Sequence, residues 1–201
     1  MENMEYEIVA ARKEDAAFLA RTVMEAVGEE LCVNLAGGAE NLPKVEALFR
    51  RVAEADDSQY SYRNALIAKT PGGEPIGAII FYDGALLHPL RRTFFSAANE
   101  ILGWAVSADE VEAWDDETGP DQVYLDSLFV EPKYRGRGVA TALFKRVFET
   151  QKRVGKPFGL LVEPGNTNAM RLYERLGFKQ QGVSNFFNAP MLKMQRPNVD
   201  C

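Results

Sequence analysis

A single histidine, two cysteines and no apolar run long enough to cross a bilayer set the first limits on this 201-residue chain. With only His88, zinc sites built on two or three histidines are excluded, and any Ser-His-Asp or Cys-His mechanism would run through that one residue. His88-Pro89 itself reads as a turn. Cys32 and Cys201 do not make a disulfide framework, so the composition reads as reduced and cytoplasmic. The longest apolar run, Ile76 to Tyr82, falls far short of the ~20 residues that a spanning helix needs. Met1 to Asp15 mixes acids and bases without an apolar centre, so neither a signal peptide nor a membrane segment is expected. A formal net charge of -6 and the lack of any long basic run speak against nucleic-acid binding.

What is present is enough for a packed core. At 46% hydrophobic and 26% charged, the composition is that of one soluble globular domain. A chain of this size buries about 70% of its extended surface and needs no metal or disulfide for support. The acidity is local. Between Trp104 and Pro132 there are nine acids and no Lys or Arg, and the remaining 23 bases and 20 acids leave the rest at +3. That stretch reads either as a solvated face or as a field that draws in a cationic substrate, with a slight lean to a polycation.

The pattern is α/β. Tyr6 to Ala11 alternates as a strand, and a helix with Ala17, Phe18, Val23 and Val27 on its apolar side follows, ended by Gly28. Pro43 to Ala55 reads as a second helix. Ser61 to Lys69 and Pro75 to Asp83 read as a hairpin turning at Thr70-Pro-Gly-Gly73. Residues 84–122 read as an acidic insertion, with a helix expected over Arg91 to Val106 and a loop over Asp115 to Pro120, inside a single domain spanning 1–201. Then come a strand (Val123 to Val130), a Gly-rich loop, a helix from Val139 ended by Gly155 and Pro157, a strand (Phe158 to Glu163) and a short helix capped near Asn166. Strands around Lys179 to Val183 and Pro190 to Gln195 close the chain.

The chemistry is expected where Val123–Val130 meets the helix start. Gly136 and Gly138 flank Arg137 there, and freed N–H groups beside glycines favour an anion such as a pyrophosphate. Lys133, Arg135 and Arg137 add positive charge. The loop is neither a Walker loop, lacking Gly-Lys-Ser/Thr, nor a dinucleotide fingerprint, because Thr141 stands at the third glycine.

Leu125-Asp-Ser-Leu-Phe-Val130, Pro132 and Arg135-Gly-Arg-Gly-Val-Ala140 resemble motif A of the GCN5-related N-acetyltransferases, the GNAT family. Asn166, Tyr173 and Gly177-Phe178 resemble that family's second motif. The close match covers Val123 to Phe178. The resemblance implies a mixed, mostly antiparallel sheet of six to seven strands flanked by helices, the acyl-CoA N-acyltransferase fold. In it a splayed parallel pair, Val123–Val130 with Phe158–Glu163, would form the acetyl-CoA cleft. It implies backbone contacts of Leu128, Phe129 and Val130 with pantetheine. It also implies that Arg135, Gly136, Arg137, Gly138, Val139, Ala140 and Thr141 hold the pyrophosphate, with Asn166 beside them. Tyr173 stands at the family's proton-donor position.

The base is open on sequence grounds. Family positions that carry one align with Tyr124 and Leu161, neither of which is a carboxylate. Alternation puts Tyr124, Asp126 and Leu128 on one face, opposite Leu125, Ser127 and Phe129. Asp126, a charge inside an apolar strand, is the favoured base, with Glu163 a further carboxylate on the next strand. Tyr60, Tyr62, Phe94, Phe95, Trp104 and Trp114 are core residues or walls of an acceptor pocket. The implied function is direct acetyl transfer from acetyl-CoA to a primary amine of a small molecule or peptide. A non-catalytic acyl-CoA sensor is the alternative, and a homodimer through the C-terminal strands, the acyl length and the acceptor are left undetermined.

Overall fold

The computed structural model describes residues 4–186 and 189–198, so Cys201 lies outside the described residues. The elements run β1 (Glu7–Ala10), α1 (Ala16–Val27), α2 (Glu29–Ala36), α3 (Leu42–Glu54), β2 (Ala65–Lys69), β3 (Pro75–Asp83) and α4 (Leu87–Leu102). They continue as α5 (Ala108–Glu112), β4 (Val123–Val130), α6 (Val139–Gln151), β5 (Phe158–Val162), α7 (Thr167–Arg175), β6 (Lys179–Phe186) and β7 (Ala189–Arg196). The seven strands form one sheet in the order β1-β2-β3-β4-β5-β7-β6. Every neighbouring pair is antiparallel except β4 with β5, which is parallel. No described helix is long and apolar enough to cross a membrane.

Two cores cover the two sheet faces, and strand alternation sorts the side chains between them. On β2 and β3, Ile67, Ala78 and Ile80 join Leu19 and Val23 of α1, Phe49 of α3 and Phe94 of α4. Leu66, Ala68, Ile76 and Ile79 point the other way, to Leu143, Phe144 and Val147 of α6. Helix α3 carries Pro43 in its first turn and buries Val45, Leu48, Phe49 and Val52.

Five boundaries differ from the sequence reading. Gly28 (φ 84°) ends α1, but the chain restarts at once as α2 and buries Cys32 and Leu35. Helix α4 begins at Leu87, not Arg91, so His88-Pro89 lies in its first turn, where a proline's missing N–H has no partner to lose. It ends at Gly103 (φ 74°), before Val106. The first hairpin strand starts at Ala65 rather than Ser61, whose hydroxyl caps a single tight turn over Tyr62–Asn64. Strand β6 extends past Val183 to Phe186.

The segment after α4 is held tightly to it. Ser107 and Glu110 form a capping box at α5. His88 bridges Glu112 (2.8 Å) and Asp116 (3.1 Å), and Arg92 pairs with Glu112 at 2.8 Å. These contacts and the buried Phe94, Phe95, Ala97 and Ala98 make α4 part of the core. Three of the nine acids, Glu112, Asp116 and Glu117, are thus paired with bases of α4.

Candidate active site

The site is built around the place where β4 and β5 part. Their parallel pairing extends over only Val123↔Phe158 and Tyr124↔Gly159. Beyond it β4 is held by β3 and β5 by β7, so the strands diverge, and Asp126 to Val130 face a gap. The register of β3 on β4 slips by one between Ile80↔Ser127 and Phe81↔Leu125, which leaves Asp126 without an opposite residue. That bulge resets the alternation. Leu125, Leu128 and Val130 pack toward α6, whereas Tyr124 and Phe129 point to the other face, Phe129 against Phe18 of α1. The strict alternation read from the sequence, with Leu128 on the face of Tyr124, is therefore corrected past Asp126.

The backbone along the gap is also selective. Glu131 N–H donates to Ile76 O at 3.0 Å, which turns the backbone of residue 131 toward β3. By the two-residue repeat, Phe129 faces β3 as well, while Leu128 and Val130 present their amide and carbonyl to the gap. Of the three residues expected to line it with backbone groups, Phe129 does not. The Val130 carbonyl accepts from Arg135 Nε at 2.8 Å, and the guanidinium lies 5.7 Å from the Phe129 ring centre. Arg135 thus fastens the loop to β4. Lys133 is turned away to Glu74 (2.7 Å), whereas Arg137 makes no ion pair among the described residues.

Above the gap the chain enters α6 through two left-handed glycines, Gly136 (φ 73°) and Gly138 (φ 84°). A Cβ at either would meet nothing within 4 Å, so the concave side of the loop is open. The first helical acceptor taken is Gly138 O, by Ala142 N at 2.9 Å. No described backbone group accepts from the N–H groups of residues 136–141, a run of unclaimed donors at the positive end of the helix. Asn166 caps α7, its Oδ1 accepting from Ala169 N at 3.1 Å. Tyr173 lies on the half-buried side of α7 with its ring against Phe144 (5.6 Å) and Phe178 (6.0 Å), and burial pushes its hydroxyl up to about 12.

A connected polar cluster surrounds Asp126. Its Oδ1 accepts from Ser127 Oγ at 2.7 Å, and its Oδ2 stands 3.5 Å from the Tyr82 hydroxyl. Tyr82 also reaches Glu117 Oε1 at 3.2 Å, and Glu117 Oε2 accepts from Arg91 at 2.5 Å. Burial pushes Asp126 up to about 7, with the nearby Glu117 charge adding to the rise and the two hydroxyls opposing it. Tyr124 is raised well above the usual tyrosine range by burial, then by Asp126, Glu117, Tyr60 and Tyr173. The expected acid and base are thus both within electrostatic reach of one buried residue. Tyr124 and Leu161 pack together beside Tyr82, while Glu163 lies past the end of β5 and is exposed. Glu117, Tyr82 and Arg91 were not legible as site residues. Their link spans dozens of positions, which local sequence patterns do not show.

Next to this cluster a cavity of about 330 Å³ opens between α1, α2, α3 and α4. Tyr60, Phe94, Phe95 and Trp114 line it, as does Phe186 from the end of β6. Trp104 packs against Phe94 and Phe95 without lining the cavity, and Tyr62 turns outward to Asp56. Glu117 belongs both to the cavity wall and to the Asp126 network.

The sequence matches the Acetyltransferase (GNAT) family over residues 46–178, well over half of the chain. The chain belongs to this family. Among curated relatives of this GNAT chain, mouse thialysine N-epsilon-acetyltransferase is 41% identical over 56 residues, 27% of this chain and 33% of that protein. Spermine/spermidine N(1)-acetyltransferase of Bacillus subtilis is 28% identical over 89 residues, 43% of this chain and 58% of that protein. The GNAT chain therefore spans from a third to under two thirds of those proteins. An N-acetyltransferase structure from Staphylococcus aureus superposes with a TM-score of 0.72 at 20% identity, covering 94% of this chain and 99% of that one. It shares the fold: a mixed sheet with one parallel pair, flanked by helices.

Removing one member of the buried pair tests the GNAT chain's network. Arg91→Leu leaves Glu117 buried without its partner and is expected to cost about 3–5 kcal/mol, whereas Arg91→Leu with Glu117→Leu should recover most of that loss. Urea unfolding of the two variants checks this, and equal losses would contradict the pairing.

Proposed function

We propose that the protein is an N-acetyltransferase that passes the acetyl group of acetyl-CoA directly to a primary amine held in the cavity beside Asp126. The observation that carries this reading is the gap between β4 and β5 lying under an unclaimed row of N–H groups from residues 136–141. An extended pantetheine suits the edge groups of Leu128 and the amide of Val130, whose carbonyl is already taken by Arg135. A pyrophosphate suits the donors of Gly136, Arg137, Gly138, Val139, Ala140 and Thr141, with the Arg137 charge beside them. The side-chain amide of Asn166 is left to contact the cosubstrate, since its cap uses only Oδ1. Family membership supports the same cosubstrate. Activity at the level of the whole protein, a cytoplasmic setting and the acceptor belong to this proposal.

Acetyl-CoA, when bound, supplies an acetyl group on a sulfur that can leave, so that an N–C bond forms as the C–S bond breaks. The chain's part is to manage protons and orientation. Asp126 near 7 is poised to accept a proton from an amine at neutral pH, since a base works best with its pKa near the operating pH. Ser127 and the shared hydroxyl of Tyr82 fix its orientation. Tyr173 near 12 keeps its proton at any working pH. Full transfer to a thiolate of ordinary pKa would be uphill by about 5 kcal/mol, so Tyr173 acts first as a hydrogen-bond donor to the sulfur.

Tyr173→Phe should lower kcat by about 10²-fold or more, while acetyl-CoA affinity stays within about twofold. Steady-state kinetics with calorimetry checks it, and an unchanged kcat removes Tyr173 from the mechanism. For Asp126, kcat/KM should rise with pH through about 7, and Asp126→Asn should abolish that limb. The same raised pKa carries a stability sign. Between about 4 and 7 the unfolded chain has lost this proton and the native state holds it, so stability falls with rising pH across that window and levels above it. Urea midpoints of the parent and Asp126→Asn proteins at several pH values check this, and parallel profiles would contradict it.

A further inference from the structure

The cavity beside Asp126 is chemically one-sided. Phe49, Tyr60, Phe94, Phe95, Trp114 and Phe186 give it aromatic walls, and α1 and α2 add Val27, Leu31 and Leu35. Its charged walls contribute little free charge. Arg91 and Glu117 satisfy each other at 2.5 Å, which leaves only Asp115, exposed at the rim, as a lining carboxylate without an ion pair among the described residues. A polyamine placed there would bury several ammonium groups against only the rim carboxylate Asp115 and the neighbouring Asp126, and each unpaired buried charge costs several kcal/mol. Its volume, about 330 Å³, is near the lower end for ligand pockets and suits a small amine.

A second observation points to a ligand. Gln59, a cavity wall only 4% exposed, leaves its Oε1 without a hydrogen-bond partner, the one buried side-chain N or O in that state among the described residues. Leaving a buried acceptor unpaired costs about 1–3 kcal/mol, a defect that a donor on a bound molecule would repair. The Gln59 side chain hydrogen-bonds the hydroxyl of the adjoining Tyr60, which Asp126 and Glu117 also influence, so its amide lies at the polar end of the cavity with only Oε1 left over.

Resting on the transferase reading, we propose that the acceptor is a monoamine carried on a bulky apolar group, of aryl-alkyl type. Its ring fills the aromatic cavity and one N–H meets Gln59 Oε1. The relatives named for spermidine and thialysine would then differ from this protein in acceptor, because the walls here offer rings where a polycation needs carboxylates.

The test measures thiol release by the full chain from acetyl-CoA with phenethylamine, tryptamine or spermidine. In parallel, each amine is titrated against the intrinsic tryptophan fluorescence of the parent and Trp114→Phe proteins. The two aryl-alkyl amines should show kcat/KM at least about tenfold above spermidine. Gln59→Leu should lower their kcat/KM about tenfold, leaving acetyl-CoA affinity unchanged and Tm no lower than the parent's. Spermidine acetylated as well or better overturns this inference and leaves the transferase reading standing. Saturable fluorescence change with the aryl-alkyl amines but no thiol release overturns them as acceptors and leaves the transferase reading for other amines standing. Neither binding nor thiol release overturns the inference. Unchanged kcat/KM in Gln59→Leu overturns the part given to Gln59.

Discussion

Everything functional here depends on a hydrogen-bond ladder that stops early. The parallel pair β4–β5 shares two register positions and then separates, because each strand is committed to an antiparallel neighbour on its other side. A parted ladder leaves edge amides and carbonyls that must find partners, since a buried unpaired backbone group is costly. An extended ligand with amide groups of its own satisfies that demand as an added strand does. The bulge at Asp126 lies just where the pair opens, and it frees a carboxylate from the sheet's alternation.

The second constraint is buried charge. Glu117 and Arg91 are both almost fully buried, and a pair in that position survives only with its remaining hydrogen-bonding capacity filled. Arg91 also donates to the carbonyls of Trp114 (3.3 Å) and Asp115 (3.2 Å), and Glu117 shares the Tyr82 hydroxyl with Asp126. Burial chiefly disfavours a negative charge at Asp126, and the nearby Glu117 adds to that penalty. The ion pair therefore does two things at once. It anchors the segment after α4 that walls the cavity, and it helps to hold the candidate base near neutrality.

The sequence made the loop over the gap legible and the cavity much less so, for physical reasons. Gly136, Gly138 and the helix start at Val139 act locally: left-handed turns and free N–H groups follow from residues a few positions apart. Asn166 and Tyr173 are likewise positioned by one short helix. The bulge left no local trace, because Asp126 is flanked by ordinary strand residues and its cause lies in the register with β3. Helix α2 was hidden because Gly28, with its left-handed φ, reads as a stop although the chain turns there and resumes. The acidic run read as a solvated face, yet His88, Arg91 and Arg92 of α4 gather it in, pairings 20 or more residues apart that composition cannot show. Of the six aromatics singled out, four line the cavity, one backs it and one points outward, a division that depends on tertiary packing.

The account stands or falls on the loop over the gap, and calorimetric titration with acetyl-CoA tests it most directly when Gly138→Asn and Gly138→Asp are compared with the parent. Asn and Asp place side chains of nearly equal shape at the same left-handed residue, into space that is open, so the two variants differ in essence by one negative charge. The account predicts that the parent binds and that the Asp variant binds at least about tenfold more weakly than the Asn variant, as a charge facing a pyrophosphate requires. A parent protein that does not bind acetyl-CoA, or equal affinities in the two variants, would contradict it.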